Sequence, residues 1–107
     1  MIFIRYYKDL IVEDNIDIIK AKKLFSNGIS LFNVYAICVS PKTNGLMEIM
    51  STENLLKEVN SYGNYGIIAL VKGRNKARKK SIRLIENWLV THSDLTGFKS
   101  HYNQNSF

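Results

Sequence analysis

A chain of 107 residues, 46% of them hydrophobic and one a proline, fits a single domain around a single core and excludes a disordered polymer. Its apolar runs break within ten residues, too soon to span a bilayer, and one cysteine allows neither a disulfide framework nor a cysteine metal site. The net charge of +6 is concentrated: residues 72–83 hold seven cations (Lys72, Arg74, Lys76, Arg78, Lys79, Lys80, Arg83) and no acid, whereas the rest holds eight cations against nine acids.

Ile (13), Asn (11) and Lys (11) are over-used, and all three have A/T-rich codons. Such a bias spreads lysine along a chain and does not favour arginine, so it explains the total better than the clustering. The start, Met1-Ile2-Phe3-Ile4-Arg5, lacks the basic, long apolar and small-residue regions of a signal peptide, and the expected location is the cytoplasm.

In chain order, Met1 to Tyr7 alternates as a strand does, and Leu10-Ile11-Val12 either extends it or opens the next element. Glu13-Asp14-Asn15 reads as a helix start, with acids at the positive end of the dipole and Asn15 as cap. The helix runs from about Ile16 to Ser26, buries Ile18, Ala21 and Phe25, and stops at Asn27-Gly28. Leu31 to Val39 is almost continuously apolar and rich in β-formers, which predicts a strand covered on both faces. Pro41-Lys42-Thr43-Asn44-Gly45 is turn chemistry, and Leu46 to Met50 is either a short returning strand or a lead-in. Ser51 or Thr52 caps a helix with Leu55, Leu56, Val59 and Tyr62 on its apolar face, ended by Gly63. Tyr65 to Lys72 is a second doubly covered strand. A last helix, Asn75 to about Val90, groups Ala77, Ser81, Leu84, Ile85 and Trp88 on one side, against Lys76, Lys79, Lys80, Arg83 and Asn87.

The order β-α-β-(β)-α-β-α predicts an α/β fold: a small mixed sheet of three to four strands packed with helices. An α+β ferredoxin-like arrangement has the same count, but it centres the first and third strands, whereas here the second (31–39) and the last (65–72) are the most apolar. If 46–50 is not a strand, these two are joined by a parallel crossover. Residues 1–92 form one domain and 93–107 a polar C-terminal extension, ordered only if something holds it.

Seven cations at and before a helix start oppose the dipole, and Lys76–Lys80 and Lys79–Arg83 repel at i,i+4. Together these cost about 1–3 kcal/mol, and a bound anion reverses each sign. A glycine at the strand end with free N–H groups behind it suits a phosphate. The candidate anion-binding residues are therefore Lys72, Gly73, Arg74, Asn75, Lys76, Lys79, Lys80 and Arg83. The plain alternative is a solvated helix face. No P-loop and no G-x-G-x-x-G is present, so no nucleotide cofactor is expected. Tyr62, Tyr65 and Trp88 are aromatics that could stack on bases, although Trp88 falls on the buried stripe.

Other constellations carry less. His92 and His101, with Ser93 and Asp94 nearby, form a conceivable acid–base cluster in a polar tail, but their spacing matches no common metal site. Glu48 and Glu53 straddle a strand–helix boundary that fixes no geometry, and Cys38 reads as a small buried hydrophobe. No catalytic residue is assigned.

The segments Asn33-Val34-Tyr35-Ala36-Ile37, Leu46-Met47-Glu48-Ile49 with Leu55-Leu56, and Gly66-Ile67-Ile68-Ala69-Leu70-Val71-Lys72-Gly73 resemble small uncharacterised proteins of low-GC Gram-positive bacteria, often found with mobile genetic elements. The resemblance covers roughly residues 10–92 and implies no activity. In those proteins the helix after the glycine starts with acids, where Arg74, Lys76 and Arg78 stand here. The expected partner is nucleic acid or another polyanion. The alternative is a protein partner or second copy docked on a sheet edge or on the terminal segment.

Overall fold

The computed structural model describes residues 4–13, 15–40, 44–62 and 65–107. Eight elements follow one another: β1 (Arg5–Val12), α1 (Ile18–Ser26), β2 (Val34–Val39), β3 (Glu48–Ser51), α2 (Thr52–Tyr62), β4 (Gly66–Lys72), α3 (Arg74–Thr91) and α4 (Phe98–Gln104). The four strands form one sheet in the order β1-β4-β2-β3, a mixed α/β architecture. The two strands with unbroken apolar sequence are the central ones, because only there are both faces covered.

Glu48–Ser51 is a strand, so the central pair β2–β4 runs antiparallel and the parallel crossover does not form. The ferredoxin-like alternative fails on order, since β1 lies at the edge and runs parallel to β4.

Alternation along β2 divides the core. Val34, Ala36 and Cys38 face α1 and α2, packing with Ala21, Phe25, Leu55, Leu56 and Val59. Ile37 and Val39 face the opposite layer, with Ala77, Leu84 and Phe98 from α3 and α4. In β4 the consecutive Ile68 and Ala69 both belong to this second layer. The register slips there, with Ile37 opposite Ala69 and Cys38 opposite Ile67, so Ile68 is the extra residue of a bulge.

Local chemistry sets the helix ends. Asp17, not Asn15, caps α1, its carboxylate accepting from the Lys20 N–H at 3.1 Å. The Ser51 hydroxyl accepts from Asn54 N–H at 3.1 Å at the start of α2. The Tyr62 side chain, Gly63 and the turn residues 41–43 lie outside the described residues.

The strand expected from Leu31 begins only at Val34. Asn33 takes a left-handed φ of 57°, and the preceding Phe32 leaves the sheet.

Residues 93–107, read from the sequence as an extension, fold back onto the sheet edge. Phe98 is fully buried, and Tyr102 packs beside it at a centroid distance of 4.9 Å. The ladder between β1 and β4 breaks between Tyr6 and Ile11. Beside that break the chain end pairs with β1: Tyr6 N–H donates to Phe107 O at 2.9 Å, and Lys8 N–H to Asn105 O at 2.8 Å. Arg5 adds side-chain bonds to the Asn103 carbonyl (3.0 Å) and amide oxygen (2.8 Å).

Candidate anion-binding site

β1 and β4 are parallel neighbours, yet the helices that follow them leave to opposite faces of the sheet, α1 to one core layer and α3 to the other. Where two such connections diverge, a crevice opens beyond the carboxyl ends of the strands, the usual place for ligands in open α/β sheets. The basic segment lies at this crevice.

Gly73 is the hinge between β4 and α3. Its φ of 84° and ψ of 139° suit a residue without Cβ, and it gives α3 no side-chain cap. Its N–H donates to Asn33 O at 2.8 Å, which ties the helix start to the turn before β2. Beyond it, α3 turns Ala77, Ser81 and Leu84 into the core. Arg74, Asn75, Lys76, Arg78, Lys79 and Arg83 are exposed, and Lys72, Gly73 and Lys80 half-buried.

Four of these cations line one open groove of about 440 Å³. Ile11, Val12 and Val71 give it apolar lining, Lys76, Lys79, Lys80 and Arg83 line it with cations, and Glu13 lines it with a carboxylate. A second hollow of about 260 Å³ on the α1 side is lined by residues that include Lys20, Leu31, Phe32 and Lys72. The eight candidate residues thus do not share one pocket: Lys76, Lys79, Lys80 and Arg83 line the first hollow, Lys72 the second, and Gly73, Arg74 and Asn75 neither.

Glu13 corrects the sequence reading. Rather than serving the start of α1, its carboxylate accepts from the Lys72 backbone N–H and pairs with Lys76 Nζ at 3.0 Å. The Lys72 N–H, and next Lys76, hold this carboxyl below the usual carboxylate range. One acid therefore meets the cationic segment from another element, and no local pattern signals it. Among the described residues the remaining cations of 72–83 have no carboxylate within ion-pair distance.

The weaker constellations do not assemble. Glu53 pairs with Lys57 at 3.6 Å, whereas Glu48 stands by the buried Tyr65, whose hydroxyl is pushed up to about 12 by burial and then by that carboxylate. Cys38 is fully buried, and burial and Glu48 push its thiol up, the opposite of activation. His92 stacks flat on Trp88 at 3.6 Å and His101 bonds the Tyr7 hydroxyl at 3.1 Å, so both rings serve the aromatic cluster around α4. The Asp94 side chain accepts from Thr96 N–H instead. Among the described residues no three of His, Cys, Asp and Glu gather to hold a metal, and no helix is long and apolar enough to cross a membrane.

In comparisons with known proteins, no family model, no curated protein and no solved structure matches the chain.

Proposed function

We propose that the protein binds a polyanion, nucleic acid above all, through Lys72, Arg74, Lys76, Lys79, Lys80 and Arg83. One observation carries the reading: four cations line one groove at the crevice between β1 and β4, and among the described residues a single carboxylate pairs with them. Each unpaired cation near the start of α3 opposes the helix dipole and its neighbours, so a phosphate chain laid along the groove relieves several small repulsions together. Phosphates need point charges rather than a shaped pocket, and an open groove with lysines on its wall supplies them.

A protein partner docking on the terminal segment has less to use, because that segment is spent on the fold's own edge at Tyr6 and Lys8. The test is titration of a labelled oligonucleotide at rising salt. Affinity that falls steeply with salt, and disappears on charge reversal of Lys79 and Lys80, supports the reading. Salt-insensitive or absent binding ends it.

A further inference from the structure

We propose that the bound nucleic acid is single-stranded and that Phe32 stacks on one of its bases, an inference that rests on the polyanion reading above. Phe32 is 98% exposed, so its ring makes almost no contact with its own chain. Exposure alone says little, since single apolar side chains are common on surfaces. What sets Phe32 apart is how firmly its backbone is held. On one side the fully buried Thr52 hydroxyl accepts from Leu31 N–H at 2.9 Å and donates to Leu31 O at 2.8 Å. On the other, Asn33 is fixed in a left-handed conformation with its carbonyl bonded to Gly73 N–H at 2.8 Å. An aromatic ring is thus presented to solvent from a turn pinned at both flanks.

Its place gives the ring a use. The Asn33–Gly73 bond joins the turn to the residue between Lys72 and Arg74, and Phe32 shares its hollow with Lys72 and Lys20. Lys72 in turn donates its backbone N–H to Glu13, which lines the basic groove. The Lys72–Glu13 hydrogen bond therefore joins a residue of Phe32's hollow to a residue of the basic groove. Cations along the backbone path with an aromatic beside them are what single-stranded binders present, because an unpaired base has a free π-face and a duplex base does not. Of the aromatics named from sequence, Tyr65 is buried and Trp88 is stacked on His92, so neither of these two fills the role.

The test compares wild type, Phe32→Ala, Phe32→Trp and a Lys79→Glu/Lys80→Glu double variant. The probes are a labelled deoxythymidine oligomer, a duplex of equal length and inorganic polyphosphate, which has no bases. The proposal requires the single strand to bind more tightly than the duplex. It requires Phe32→Ala to weaken the oligomer by roughly 5- to 150-fold while leaving polyphosphate unchanged, and Phe32→Trp to restore binding. Because the ring is nearly free of contacts, both Phe32 variants fold as wild type does, which circular dichroism checks. Equal affinity for the duplex, an oligomer affinity indifferent to Phe32→Ala, or a dimer that Phe32→Ala converts to monomer overturns the proposal. In those cases, loss of polyphosphate binding in the double variant leaves the polyanion reading standing. If wild type binds no polyanion, both fall.

Discussion

The Glu13 carboxylate reaches Lys76 Nζ at 3.0 Å from the end of β1, and the same side chain accepts the Lys72 backbone N–H. It is a built-in counter-ion for the start of α3, supplied by an element some sixty residues earlier in the chain.

Replacing it separates stability from binding. Glu13→Gln keeps an acceptor for Lys72 but frees Lys76. Nucleic-acid affinity should rise, with a steeper salt dependence, while the melting temperature at neutral pH falls. The sign follows from the lowered carboxyl: a group held below its unfolded value stabilises the fold above the ordinary carboxylate range, and that stabilisation is lost as pH falls through the lowered value. Melting curves between neutral and acidic pH should therefore be flatter for the variant than for wild type.

Removing Lys79 and Lys80, which pair with no acid among the described residues, should weaken binding without destabilising the fold. If Lys76, Lys79, Lys80 and Arg83 each meet one phosphate of a single strand, log affinity should fall against log salt with a slope of about −3. Lys79→Ala with Lys80→Ala should roughly halve that slope. The same change removes i,i+4 repulsions worth about 0.2–0.5 kcal/mol each, so denaturant unfolding should show unchanged or slightly raised stability. Loss of binding with intact folding separates a contact role from a structural one.

Gly73 should resist substitution through its backbone rather than through crowding. A Cβ there meets nothing within 4 Å, yet the φ of 84° with ψ of 139° is sparsely populated by other residues. Gly73→Ala should cost about 1–3 kcal/mol in chemical denaturation. Gly45→Ala is the control: its φ is not positive, and its nearest new contact is Met47 O at 3.8 Å. It should be close to neutral.

The terminal segment should prove part of the fold. Phe98 is fully buried and meets Trp88 edge-on at 5.4 Å, so Phe98→Ala should destabilise by about 3–5 kcal/mol and red-shift the tryptophan emission. Gly66→Ala probes a second contact of the segment, from the sheet, since its Cβ would lie 2.8 Å from the Ser106 hydroxyl. It should loosen the chain end, read as faster amide exchange over residues 105–107.

The central strands were legible because Ile37, Val39, Ile68 and Leu70 leave no polar face, and a strand can be apolar throughout only if both sides are covered. Strand direction was not legible, since it depends on whether Glu48–Ser51 pairs with β2, a choice made by distant residues. The cationic run is visible as local composition. Its acid, Glu13, was hidden because the pairing of β1 with β4 brings it there. Phe32 was read as part of the strand because it lies in the apolar run that opens at Leu31, and hydrophobicity does not reveal that Asn33 turns the chain before the sheet begins. Phe98 and Tyr102, four residues apart with His101 between, carried a helical signal that the surrounding polar residues masked.

Because the groove's positive charges all come from one contiguous segment, they remain a single cationic tract when the protein unfolds. A polyanion then has affinity for the denatured chain as well, and thermal upshift on adding ligand will be smaller than the measured dissociation constant alone implies. Phe32, by contrast, is brought beside that tract only in the folded molecule. Any gap between the stabilisation given by a base-bearing strand and that given by a bare phosphate chain reports on the native arrangement.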